Sequence, residues 1–136
     1  MNTIELRSDN AAGVAPEIIA ALVAANSGSA LAYGGDVWSE RLRARVAAVF
    51  DHPDVAVFPI TSGTAANALS LSALCPPWGS VLCHESAHIL VNEAGATSMF
   101  SGGAVMKGLA GAGPRLSPAA VDQAFASTQR GGTQPP

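Results

Sequence analysis

Ser62, Gly63 and Thr64 stand between an apolar run and a helical pattern, an arrangement suited to holding an anion. Val55-Ala56-Val57-Phe58 is apolar, Thr61-Ser62-Gly63-Thr64 is small and polar, and a helix-spaced stretch follows to Leu74. A strand, a tight turn and a helix start aim free backbone N–H groups at one place, where the helix dipole adds partial positive charge. Ser and Thr hydroxyls add donors, and Gly63 lets the backbone approach closely. A phosphate suits such a cradle. Taken without its flanks, the same turn reads more often as a plain helix cap. It lacks the spaced glycines of a dinucleotide site and the Gly-Lys of a P-loop, so a nucleotide-binding unit is the weaker reading.

A second polar cluster is Cys83-His84-Glu85-Ser86-Ala87-His88. Cys83, His84 and His88 are three potential ligands within six residues, a poor match to zinc spacing, and no metal is expected. A lone histidine reads first as a satisfied loop residue; what distinguishes His88 is its place beyond an expected strand. The one lysine, Lys107, lies in Gly102-Gly103-Ala104-Val105-Met106-Lys107-Gly108 and reads as a solvated loop residue. Glu85 and His52 read as surface, Trp38 as core, and Arg7 with Asp9 as a weak surface pair. Arg41, Arg43 and Arg45 share an expected helix with Glu40 and read as its solvated face.

Elements must hold these residues in place. Pro16 suits the first turn of a helix carrying Ile18, Ile19, Leu22 and Val23, with Asn26-Ser27-Gly28 as its stop. Asp36 caps a second helix, on which Trp38, Leu42, Val46, Val49 and Phe50 trace an apolar stripe. A strand over 55–60, the turn and a helix over 65–74 follow, ended by Pro76-Pro77. A second strand fits Ser80–Cys83, a helix starts near Ile89, and a third strand fits Ala104–Met106. Ser117 caps a last helix that Pro118 opens and that runs through Phe125. The alternation implies an α/β fold, a mainly parallel sheet with flanking helices. Ligands of such sheets bind beyond the carboxyl ends of the strands, where loops 61–64 and 84–88 both fall.

The chain has 136 residues, one domain or a piece of a larger one. It is 49% hydrophobic and only 12% charged, which excludes a disordered segment and points to surfaces meant to be covered. A net charge of -3 without a basic cluster speaks against nucleic acid. Two cysteines make no disulfide framework and suit the reducing cytoplasm. The N-terminus lacks the pattern of a signal peptide, and no apolar run is long enough to suggest a membrane span. Ala126–Pro136 (ASTQRGGTQPP) has no apolar periodicity and reads as an unstructured tail after a domain over 1–125.

Four segments in order carry a resemblance: Glu5-Leu6-Arg7-Ser8-Asp9-Asn10, Tyr33-Gly34-Gly35-Asp36, Thr61-Ser62-Gly63-Thr64-Ala65-Ala66-Asn67 and His84-Glu85-Ser86-Ala87-His88-Ile89. Together they resemble the N-terminal part of the low-specificity threonine aldolases, within the aromatic amino acid β-eliminating lyase and threonine aldolase group. The resemblance runs from about residue 4 to residue 125. It implies part of the large domain of a fold type I, aspartate-aminotransferase-like enzyme that uses pyridoxal 5′-phosphate (PLP). Ser62, Gly63 and Thr64 match the cofactor-phosphate segment. His88 matches the histidine that stacks on the pyridine ring near the substrate's β-hydroxyl. Ser8 matches a serine at the substrate carboxylate, and Tyr33 lies in a loop bordering the site near a subunit interface.

The implied reaction cleaves β-hydroxy-α-amino acids such as threonine, allo-threonine or phenylserine to glycine and an aldehyde. The implied assembly is a homo-oligomer. Such enzymes attach PLP through a lysine, which the family carries well downstream of these segments, together with an aspartate for the pyridine nitrogen and an arginine for the carboxylate. Lys107 does not match that lysine. The chain therefore reads as a truncated segment, inactive by itself, with apolar surface and a sheet edge left open. A β-elimination variant of the same chemistry is a related reading. A non-catalytic remnant that binds a phosphate compound or a full-length partner subunit is the alternative from another class.

Overall fold

A computed structural model describes residues 11–128. The elements run α1 (Pro16–Ala25), α2 (Val37–Phe50), α3 (Gly63–Leu74), β1 (Ser80–His84), α4 (His88–Val91), α5 (Ala96–Phe100), β2 (Val105–Leu109) and α6 (Pro118–Ala126). They fall into two compact units that divide between Val57 and Phe58.

The first unit holds α1 and α2. Pro16 opens α1, where its missing N–H costs nothing, and the Asn26 N–H closes the helix on the Leu22 carbonyl at 3.0 Å. Asp36 caps α2: its Oδ1 accepts from the Trp38 and Ser39 N–H groups at 2.9 Å each. Its Oδ2 accepts from the Ser39 hydroxyl at 2.7 Å. These bonds, the Ser39 hydroxyl foremost, hold the Asp36 carboxyl below its ordinary value. Asp51, left-handed at φ 49°, ends the helix. No described residue of this unit is buried. Trp38, expected in the core, is 46% exposed, because neither helix covers it. The Arg41 guanidinium lies over its ring instead, 4.9 Å from the centroid, a cation–π contact rather than a purely solvated arginine.

The second unit is built on a two-stranded parallel sheet, with Ser80 opposite Val105 and His84 opposite Leu109. The parallel pairing is as expected; the strand count is not. Residues 55–60 form no strand, so two strands pair among the described residues where three were expected. An apolar run reports burial, whereas a strand exists only by pairing, and Pro59 has no N–H to give a ladder. Phe58, Pro59 and Ile60 lie instead beside α3, lining with Ala66, Leu69, Ser70 and Ala73 an apolar groove of about 790 Å³. β2 starts one residue later than the expected strand and runs to Leu109, so Lys107 is a half-buried strand residue and not a solvated loop one.

α3 packs on α5, and each helix buries one small residue, Ala68 and Thr97. Cys83, Ala104 and Ala124 are the other buried apolar residues, joined by buried Glu93 and Ser101. Ser101 accepts from the Ala104 N–H at 3.1 Å and Ser98 donates to the Ala104 carbonyl at 2.8 Å, which ties α5 to the entry of β2. Burial raises the Cys83 thiol above its ordinary pKa. Outside this small core, large apolar side chains stay uncovered, Phe58 at 80% and Leu74 at 82% exposure among them.

Candidate active site

The start of α3 is open. Ser62 is its N-cap: the hydroxyl accepts from the Ala65 N–H at 3.2 Å and the carbonyl from the Ala66 N–H at 3.1 Å. The N–H groups of Gly63 and Thr64 find no acceptor among the described residues. A Cβ built on Gly63 would meet nothing within 4 Å, so the turn faces open space. No acidic residue sits in the first turn of α3. Two free N–H groups, a hydroxyl residue beside them and the positive end of a 12-residue helix suit a phosphate.

His88 is the first residue of α4, and its side chain is 64% exposed. Its Nδ1 lies 2.8 Å from Glu93 Oε1, and the Glu93 side chain is fully buried. The same oxygen accepts from Asn67 Nδ2 at 2.7 Å. Asn67 sits one turn into α3, so a single carboxylate oxygen joins the cradle helix to the histidine. Glu93 is held below the ordinary carboxylate value, first by the Asn67 hydrogen bond, against burial, and then by the bond and charge of His88. Its Oε2, like Thr97 Oγ1, is buried and finds no partner among the described residues.

Two left-handed residues follow Glu93: Ala94 at φ 48° and Gly95 at φ 77°. An alanine there costs about 1–2 kcal/mol, so the sharp bend behind the buried carboxylate is held by its surroundings. The loop that brings the chain from β1 to His88 depends on Gly108. A Cβ at Gly108 would meet Glu85 Cα at 3.1 Å and Leu90 Cδ2 at 2.8 Å, so only glycine lets the loop cross β2 this closely. His84 Nδ1 accepts the Ser86 N–H at 3.1 Å and lies 2.7 Å from the Ser86 hydroxyl, closing the turn that leads to Ala87.

The structure thus brings Ser62, Gly63, Thr64 and His88 into one unit, with Asn67 and Glu93 between them. Tyr33 belongs to the other unit, fully exposed and left-handed at φ 59°, followed by Gly34 at φ 78°. Ser8, and Arg7 and Asp9 with it, lie outside the described residues, as does most of the tail expected over 126–136. Lys107 borders a cleft of about 280 Å³ with Ala120, Gln123 and Ala124 of α6, which shares no residue with the His88 cluster. Among the described residues no three His, Cys, Asp or Glu side chains stand together as a metal site. Glu93 escapes a reading of the sequence, and Asn67 enters it only as the end of the segment Thr61–Asn67, with no role given. The only hint of Glu93 is a carboxylate five positions after the histidine, a spacing that matches no regular helix face.

The sequence pattern of the beta-eliminating lyase family matches residues 5–134. The chain belongs to that family. Within the family, it is 40% identical over 117 residues to the low specificity L-threonine aldolase of Pseudomonas sp. (strain NCIMB 10558), covering 86% of this chain and 34% of that one. It is 43% identical over 102 residues to the low specificity L-threonine aldolase of Pseudomonas aeruginosa, covering 75% of this chain and 29% of that one. The chain spans about a third of the length of these curated relatives. A solved structure of Leishmania major threonine aldolase superposes with a TM-score of 0.80 at 23% identity, over 88% of this chain and 34% of that one. The likeness shows the fold: this chain forms α/β elements of a fold type I large domain.

Proposed function

We propose that this chain supplies the cofactor-phosphate cradle and the base of a PLP-dependent aldolase that cleaves β-hydroxy-α-amino acids to glycine and an aldehyde. The observation that carries the reading is the join between the open start of α3 and His88 through Asn67 and Glu93. Ser62, Gly63 and Thr64 would hold the phosphate by backbone N–H groups and hydroxyls, and His88 would act on the substrate's β-hydroxyl. When bound, PLP supplies the electron sink for the bonding pair released as Cα–Cβ breaks. The chain's own work is to fix the phosphate, place the ring against the imidazole and take the β-hydroxyl proton on His88.

Ser8 and Tyr33 complete the reading, at the substrate carboxylate and at the border of the site, in a cytoplasmic homo-oligomer. The one lysine lies in β2 against α6 and not beside the cradle, so this segment offers no amine for covalent attachment of PLP. Support for the aldolase over other lyases of the family comes from the two aldolase relatives above 40% or at it. Among the described residues, no helix is long and apolar enough to cross a membrane.

The test is a PLP-loaded enzyme that carries this segment within a full-length chain, incubated with phenylserine. Benzaldehyde and glycine released in equal amounts are expected. Substantial β-elimination with no benzaldehyde overturns the aldolase reading.

A further inference from the structure

The fully buried side chain of Glu93 is the least explained group in this structure. A carboxylate is an expensive thing to enclose unless it is hydrogen-bonded, and this one spends both of its observed bonds on a single oxygen. One partner, Asn67, comes from 26 positions earlier in the chain; the other is an imidazole whose far side is open to solvent. That is the arrangement of a group that orients a base, and not of a surface ion pair.

We propose that Glu93, steadied by Asn67, is a positioning residue for His88: it fixes the imidazole as the Nδ1–H tautomer and leaves Nε2 as the proton acceptor. An ionised carboxylate only accepts, so at 2.8 Å the hydrogen between Glu93 Oε1 and His88 must sit on Nδ1. A neutral imidazole carries one such hydrogen, so Nε2 then presents a lone pair. Nε2 has no partner among the described residues, on a side chain that is 64% exposed. Without such a partner, histidine favours the opposite tautomer, with hydrogen on Nε2 and no lone pair facing outward.

Asn67 gives the device a second role. It sits on α3, five residues past the cap that starts the phosphate cradle, and its amide holds the same oxygen that holds the histidine. The separation between cradle and base is therefore set by two short hydrogen bonds through one atom. A shift of α3 would move the imidazole with it. The bend at Ala94 and Gly95 keeps the carboxylate turned inward toward both partners.

The tautomer assignment stands without the aldolase reading; the use of Nε2 as base rests on it. The first experiment is long-range ¹H–¹⁵N NMR of the His88 ring in this chain at about pH 8.5, where an ordinary histidine is neutral. A protonated Nδ1 and a bare Nε2 are expected. Predominant Nε2–H in the unaltered chain overturns the proposal. In Glu93→Leu, which keeps the bulk and removes the acceptor, the population should move toward Nε2–H while amide shifts away from the site stay in place. An unchanged ratio in a folded Glu93→Leu also overturns it, and if that variant does not fold the unaltered chain still decides.

The second experiment uses the full-length PLP enzyme on phenylserine. Glu93→Leu should lower kcat by about 10²-fold, the lower end of what a positioned base contributes, with KM little changed and part of the rate restored by Glu93→Asp. A correct tautomer with kcat unchanged in Glu93→Leu would overturn the positioning role while leaving the aldolase reading intact. Absence of any aldol cleavage in the unaltered enzyme would overturn that reading and leave the tautomer result standing.

Discussion

Glu93, two residues past the end of α4, leaves a mark on stability. Its folded pKa is lowered, so the unfolded chain binds the proton more readily, and stability rises with pH through that window. The contribution is present above the ordinary value of 4.5 and is lost as pH falls toward the lower folded value. Urea midpoints measured at pH 7 and again below pH 4.5 should fall across the interval, and Asn67→Ala, which removes the largest cause of the shift, should flatten the fall. His88 is legible in the sequence because it follows a strand pattern within a polar pentapeptide, and it stands on the first turn of α4. Glu93 is not legible, since a carboxylate just past a four-residue helix follows no periodic pattern. Asn67 stands in a segment that carries the family resemblance, but its bond to Glu93 depends on the fold.

Helix starts were the most readable elements, since a cap is a local device. Asp36, Ser62 and Ser117 each accept from the backbone two or three residues on, as their types and places foretold. Ser117 accepts from the Ala120 N–H at 3.1 Å. Ser117→Ala should cost about 1 kcal/mol, read as a lower urea midpoint with an unchanged slope. Strands were read less well, because pairing is not local. Ser80–His84 and Val105–Leu109 find each other, but 55–60 carries as apolar a pattern and pairs with nothing among the described residues. Lys107 was misplaced for the same reason: glycines on both sides suggested a loop, while the ladder to Leu82 makes the segment a strand.

At the scale of the whole molecule, composition foretold the outcome better than pattern did. The chain is 49% hydrophobic, yet few apolar residues among the described ones are buried, and those are small. Among the described residues only two strands pair, in parallel, and long apolar side chains such as Leu74 and Trp78 face out, so the fold is marginal. That the chain spans about a third of its relatives' length accords with so much uncovered surface. The buried thiol in the middle of β1 turns this into something that can be timed. Cys83 is shut in the sheet with its thiol pKa raised, whereas Cys75 at the end of α3 is half-buried. An alkylating reagent should modify Cys75 first, and Cys83 only as fast as the two strands part. Mass spectrometry of the two peptides over time would then separate them, and equal rates would show that the sheet opens freely. The residue most inert in the closed molecule thereby becomes its clock, reporting how often the strand that leads to His88 comes undone.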